Sequence, residues 1–177
     1  MALRKASAYT KRKARPYTRK SSVKSKSYIK TIPPQKVVKF QMGNIRAFDS
    51  GKFNRILKLI SEEKVQIRDN ALESARQYIH NKLEANFLGQ YYFAVKVFPH
   101  HILRENKMIA GAGADRMQTG MQLSFGKTMG RAALVKEGQE IFLVAVDNDK
   151  VLKFAREVIG KIKAKLPCRT AILSEKK

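Results

Sequence analysis

Residues 131–166, "RAALVKEGQEIFLVAVDNDKVLKFAREVIGKIKAKL", contain two apolar, β-rich runs around Glu137–Gln139, followed at once by an amphipathic stretch. The turn residues between the runs read as strand, turn, strand. Beyond Asp149, Val151, Ala155, Val158 and Ile162 recur every three or four positions, with Leu152, Ile159 and Leu166 beside them. One stripe of a 3.6-residue helix is therefore apolar and has to cover a sheet. Asp149 is placed to cap the first N–H groups, and Pro167 stops the helix. Two strands followed directly by a helix break strict βαβ alternation, which points to an α+β fold.

Working outward, "DNALESARQYIHNKLEANF" (69–87) is a second amphipathic helix, with Ala71, Ala75, Ile79 and Leu83 on its stripe. Asp69 or Asn70 is expected to cap it, and Glu73 lies three residues after Asn70, as in a capping box. "KVVKFQMG" (36–43) has strand composition and begins the folded domain after Pro33 and Pro34. "FNRILKLIS" (53–61) reads as a strand, although its spacing also allows a helical start. "YYFAVKVF" (91–98) is a strand ended by Pro99, and "HILREN" (101–106) is expected to return beside it. "CRTAIL" supplies a last strand, with Cys168 in it. The expected architecture is a two-layer sandwich in which a mainly antiparallel or mixed sheet of about six strands carries two main helices. A basic extension over residues 1–35 is expected to precede the α+β domain of residues 36–177.

Thirty-seven Lys and Arg against 14 Asp and Glu give a formal charge of +23. Such an excess calls for a polyanionic partner, nucleic acid or an anionic membrane surface. No apolar run approaches the roughly 18 to 20 residues that span a bilayer, and no apolar h-region follows the basic N-terminus, so a soluble, intracellular protein without a membrane partner is expected. The single cysteine excludes an internal disulfide and a multi-cysteine zinc site. Asp49 is the first carboxylate of the chain. Before it, Lys11, Arg12, Lys13, Arg15, Arg19, Lys20, Lys24 and Lys26 are interleaved with Tyr9, Tyr17 and Tyr28. Too few apolar residues are present for this arm to fold alone, but its cations can order against phosphates and its tyrosines can stack on bases or sugars.

Residues 107–130 fit no element; they hold five of the ten glycines and four of the six methionines. Loops longer than roughly 12 to 15 residues inside a domain are usually functional or disordered. Gly126, Lys127 and Thr128 match the end of the nucleotide-binding pattern G-x-x-x-x-G-K-[ST], but its first glycine would fall on Met121, and Gly120 is one residue early. No buried strand precedes the segment, so the NTPase reading fails. Glycines such as Gly111 and Gly113 instead permit close approach of another backbone. Lys107, Arg116, Lys127 and Arg131 can meet phosphates, and Gln118 and Thr119 can bond sugars or bases. These phosphates would belong to RNA.

Other candidates for chemistry fall away. His100 and His101 are strand neighbours that point to opposite faces, and His80 has no partner at ligand spacing, so no metal is expected. Cys168 has no base nominated for it. Glu62, Glu63, Glu73, Glu84 and Glu157 lie on or near helices, where Lys and Arg pair with them. No catalytic residue and no cofactor are expected.

"ALESARQYIHNKL", "FPHHILRENKM", "AGADRMQTGM" and "FGK", in this order and spacing, closely resemble the archaeal and eukaryotic L ten-e branch of the universal large-subunit ribosomal protein L sixteen family. The resemblance runs from about Lys36 to the C-terminus. It implies an α+β sandwich docked on large-subunit ribosomal RNA in the cytoplasmic ribosome, near the site where aminoacyl-tRNA enters. It also implies that the long loop extends toward the peptidyl-transferase centre and bound tRNA, that neighbouring ribosomal proteins and assembly factors are partners, and that the chain acts in late subunit maturation. The matching family positions are Arg104, Asn106, Lys107 and Met108 at the loop's base, then Gly113, Ala114, Asp115, Arg116, Gln118, Thr119 and Gly120, then Gly126 and Lys127. Glu105 departs from the apolar residue of eukaryotic relatives, and the tail lacks their cysteines. Two other classes compete: a free-standing basic module for tRNA or chromatin, and an enzyme acting on RNA. A generic nucleic-acid coater needs charge but no long loop of fixed sequence.

Overall fold

The computed structural model describes Tyr9, Ile29, residues 31–105 and residues 127–176. Within these residues the chain runs β1 (Gln41–Gly43), α1 (Ile45–Asp49), β2 (Arg55–Ser61), β3 (Val65–Arg68), α2 (Asp69–Asn86), β4 (Tyr91–Val95), β5 (His101–Glu105), β6 (Lys127–Val135), β7 (Glu140–Val146), α3 (Asp149–Ile162), a 3-10 turn (Lys163–Lys165) and β8 (Thr170–Lys176). The α+β class is as expected. The strands, however, form two antiparallel sheets: five strands in the order β1-β4-β7-β2-β8, and three in the order β3-β6-β5.

Alternation along the strands builds the core. Tyr91, Phe93 and Val95 of β4 and Phe142, Val144 and Val146 of β7 face the two long helices, while Tyr92, Ala94, Leu143 and Ala145 face the other way. Helix α2 meets the first face with Leu72, Ala75, Ile79 and Leu83, and α3 with Val151, Ala155, Val158, Ile159 and Ile162. Leu72, rather than Ala71, starts the α2 stripe; Ala71 is only partly buried. Fully burying a Leu, Ile or Phe contributes about 1.5–3 kcal/mol, so this face carries most of the hydrophobic stabilisation. The second face is smaller and is covered by Ala47 and Phe48 of α1, whose Phe48 ring stacks on Tyr92 with centroids 4.0 Å apart. Gly43 makes the entry to α1 possible: its φ is +84°, and a Cβ there would fall on the Tyr91 carbonyl. That carbonyl accepts the Asn44 N–H at 2.9 Å, and the Asn44 side chain in turn accepts from Ala47 N.

Several local expectations yield to tertiary partners. The runs on either side of Glu137–Gln139 are strands, but β6 and β7 do not pair with each other; the turn passes the chain from the small sheet to the large one. Gly138, at φ +75°, holds this crossing by donating its N–H to Ser61 O at 2.8 Å. Strand β5 does not return beside β4; it pairs with β6. Strand β3 was not legible, being four residues long between polar neighbours. Of residues 36–43, only Gln41–Gly43 are strand. Cys168 precedes β8 instead of lying in it, and is half-buried. The residues at the N-cap positions of the long helices, Arg68 and Asn148, make no side-chain cap bond. Asp149 occupies the first turn of α3 and pairs with Arg55, and Asp69 accepts the N–H groups of Asn70 and Lys36.

Candidate nucleic-acid interface

Glu105, the last residue of β5, lies opposite Lys127, the first of β6. Paired Cα atoms on antiparallel strands are about 5 Å apart, so residues 106–126 leave and re-enter on a closed two-stranded stem. Residues 127–130, read from sequence as the end of the loop, are strand. They pair because the register shifts there: Leu103 faces Gly130 and Arg104 faces Thr128, which leaves Met129 as the extra residue of a bulge. A bulge sharpens the twist and re-aims the side chains beside it.

The chain entering the domain crosses this stem. Thr128 Oγ1 donates to Thr31 O at 2.9 Å, and Arg131 Nε donates to Pro33 O at 2.8 Å. Farther on, Lys36 N–H reaches Asp69 Oδ2 at 3.3 Å and Val38 N–H reaches Glu73 Oε2 at 3.4 Å, at the start of α2. Residues 31–38 are therefore a strap from β6 to α2. Glu73 also binds Arg76 through two bonds of 2.7 and 2.6 Å, and the Arg76 Nη1 lies 3.0 Å from Met42 Sδ. Hydrogen bonds from Arg76 hold the Glu73 carboxyl below its usual range, against the opposing effect of burial. Tyr9 marks a second point of attachment, on β3. Gln66 Nε2 donates to its carbonyl at 3.0 Å, and the Arg68 guanidinium lies 5.5 Å from its ring centre, a cation–π contact. Both attachments fall on neighbouring strands of the small sheet.

Of the residues nominated from sequence, the described ones are Arg104, Lys127 and Arg131, and the stem brings all three together. Lys127 is exposed at its end, Arg104 is half-buried opposite Thr128, and half-buried Arg131 commits one donor to the strap. A guanidinium has further N–H donors in a fixed fork, so Arg131 can fasten the strap and still meet a phosphate. Lys11, Arg12, Lys13, Arg15, Arg19, Lys20, Lys24 and Lys26 lie outside the described residues, as do Asn106, Lys107, Met108, Gly111, Gly113, Ala114, Asp115, Arg116, Gln118, Thr119, Gly120 and Gly126. Sequence reading missed the strap and the Tyr9 attachment. The Pro33–Pro34 pair, which forces extension, was the one local sign of the strap.

Among the described residues, neither the histidines nor the cysteine is set up for chemistry. His100 is exposed and His101 buried, facing opposite ways, and burial pushes the His101 pKa down, toward the neutral ring. Burial also raises the Cys168 thiol above its usual range, away from the reactive thiolate. No group of three or more metal-ligating side chains, and no helix long and apolar enough to cross a membrane, occurs among the described residues.

The family model described as ribosomal protein L16p/L10e matches residues 12–173. Among curated relatives, a large ribosomal subunit protein uL16 from Thermofilum pendens is 46% identical across 99% of this chain and 98% of its own length. Proteins of the same name from Hyperthermus butylicus and Methanococcus maripaludis are 43% and 44% identical, covering 94% and 99% of this chain and 90% and 96% of theirs.

Proposed function

The chain belongs to the ribosomal protein L16p/L10e family, and from that premise we propose how its parts are used. It is a non-enzymatic constituent of the large subunit of the cytoplasmic ribosome, acts in translation, and has ribosomal RNA and ribosomal proteins as its partners. Its finer role is to sit beside the aminoacyl-tRNA site. There residues 107–130 reach toward the peptidyl-transferase centre and the tRNA acceptor end, and assembly factors engage the chain late in subunit maturation. Residues 1–35 serve as the RNA-binding extension, and residues 36–177 as the domain that carries the RNA-facing segment.

Near-full-length similarity to large-subunit proteins carries this reading. The geometry supports it. A paired stem with exposed Lys127 fixes where the glycine-rich segment departs, and the strap ties the basic extension to the same stem through Thr128 and Arg131. Phosphate contacts from such cations position a protein on RNA, and with +23 overall the affinity falls steeply with salt. A free-standing basic module would bind nucleic acid without this assembly. The test is sedimentation of tagged full-length chain from extract: it is expected with large subunits at low salt and released at high salt. Sedimentation apart from ribosomes at low salt would overturn the reading. Arg116→Ala is expected to impair subunit maturation or tRNA accommodation while the free chain melts as the parent does.

A further inference from the structure

Between β4 and β5 the chain alternates strictly: Lys96, Phe98 and His100 are exposed, and Val97, Pro99 and His101 are buried. His100 N–H donates to Phe98 O at 3.0 Å, a three-residue turn about Pro99, whose fixed φ suits it. The turn brings the Phe98 and His100 rings together, with centroids 4.3 Å apart and planes at 46°. Phe40, just before β1, also stacks on Phe98, at 5.3 Å and 22°. Phe40 is held there by its own carbonyl, which accepts the Val95 N–H at 2.8 Å.

The result is a row of three rings at the surface, with Phe98 41% exposed and Phe40 rooted against the main core. Single apolar side chains on a surface need no explanation, but a row of packed rings that ends on the exposed His100 does. Lys39 precedes Phe40 and Lys96 shares the exposed series with Phe98; both are exposed and form no ion pair among the described residues. Aromatic faces flanked by cations suit a nucleobase between phosphates, because every base has a π-face and the adjoining phosphates meet the lysines.

We propose that Phe40, Phe98 and His100 form a stacking platform for one unpaired nucleobase of RNA, with Lys39 and Lys96 holding its flanking phosphates. The proposal rests on the ribosomal-RNA reading above and adds a base-contacting site away from the β5–β6 stem. It recognises a base swung out of a helix, such as one in a bulge or loop, and is indifferent to a paired stem.

The test measures binding of full-length chain, by fluorescence anisotropy at moderate salt, to a short single-stranded oligouridylate and to an abasic oligomer of equal length and charge. The parent is expected to prefer the base-bearing strand about tenfold. Phe98→Leu, which keeps the apolar bulk but not the ring, is expected to abolish that preference and leave abasic binding unchanged; Phe98→Tyr is expected to retain it. If Phe98→Leu keeps the preference, as it would were the rings a contact for a neighbouring protein, the proposal is overturned. Equal weakening toward both strands overturns it too, since the ring would then matter only to the fold. A parent that binds neither strand defeats the RNA reading itself and the platform with it, a result distinct from backbone binding without base preference.

Discussion

Substituting Glu73→Gln removes the countercharge of Arg76 without changing side-chain size. The two side chains are only 12% and 9% exposed and share two hydrogen bonds. Breaking a buried pair from one side costs about 3–5 kcal/mol, because the remaining charge stays desolvated. Arg76 keeps its contact with Met42 and an amide can still accept one N–H, so the lower end, about 3 kcal/mol, is the expected loss. For a chain of this size that lowers the melting temperature by about 6–12 °C. Adding Arg76→Met removes the stranded charge and should restore part of the loss, giving a coupling well above about 0.5 kcal/mol in a double-mutant cycle. The pH dependence has a definite sign. The folded carboxyl titrates below its reference value of 4.5, so the pair stabilises fully above that value and loses its effect as pH falls through the lower folded pKa. The gap in melting temperature between parent and Glu73→Gln should therefore hold from neutral pH to about 5 and narrow in stronger acid. Circular-dichroism melts of the free full-length chains across that range decide the matter. A variant within 2 °C of the parent at neutral pH, or a cycle without coupling, would refute the reasoning; the 2 °C bound corresponds to roughly 1 kcal/mol or less.

Further outcomes concern other parts of the fold. Gly43→Ala places a Cβ on the Tyr91 carbonyl at a positive φ and should cost more than about 1 kcal/mol in urea unfolding; a neutral result would mean that the β1–α1 corner relaxes freely. Ile79→Ala opens a cavity under the main sheet and should cost about 2–5 kcal/mol by the same assay. Deleting residues 1–30 loses only the Tyr9 attachment among the described contacts, so the domain should melt within a few degrees of the parent while RNA binding weakens; a large drop in melting temperature would make the arm part of the core. Cys168 should react slowly with a thiol reagent at neutral pH, with the rate rising on unfolding in denaturant, because burial keeps the thiol protonated.

The sequence by itself determined the two long helices, the strand character of most of the apolar runs, the α+β class and the polyanionic partner. Each is written in local periodicity or in summed charge: Ala75, Ile79 and Leu83 have to share a face whatever surrounds them. The family motifs within residues 98–127 were equally legible, since they are contiguous. What only the tertiary structure decided is which strand meets which. Residues 131–135 and 140–146 look like a hairpin from their turn, yet the chain crosses between sheets there, because strand composition encodes burial and not the identity of a partner. Asp69 and Glu73 read as capping residues; Asp69 does accept the first-turn N–H of Asn70 with one oxygen, but Lys36 takes its other oxygen, and Val38 and Arg76, brought up by folding, take Glu73. The row of Phe40, Phe98 and His100 is illegible for the same reason. Phe40 and Phe98 are distant in sequence, and only the Phe40–Val95 backbone bond and the turn at Pro99 bring their rings within stacking distance.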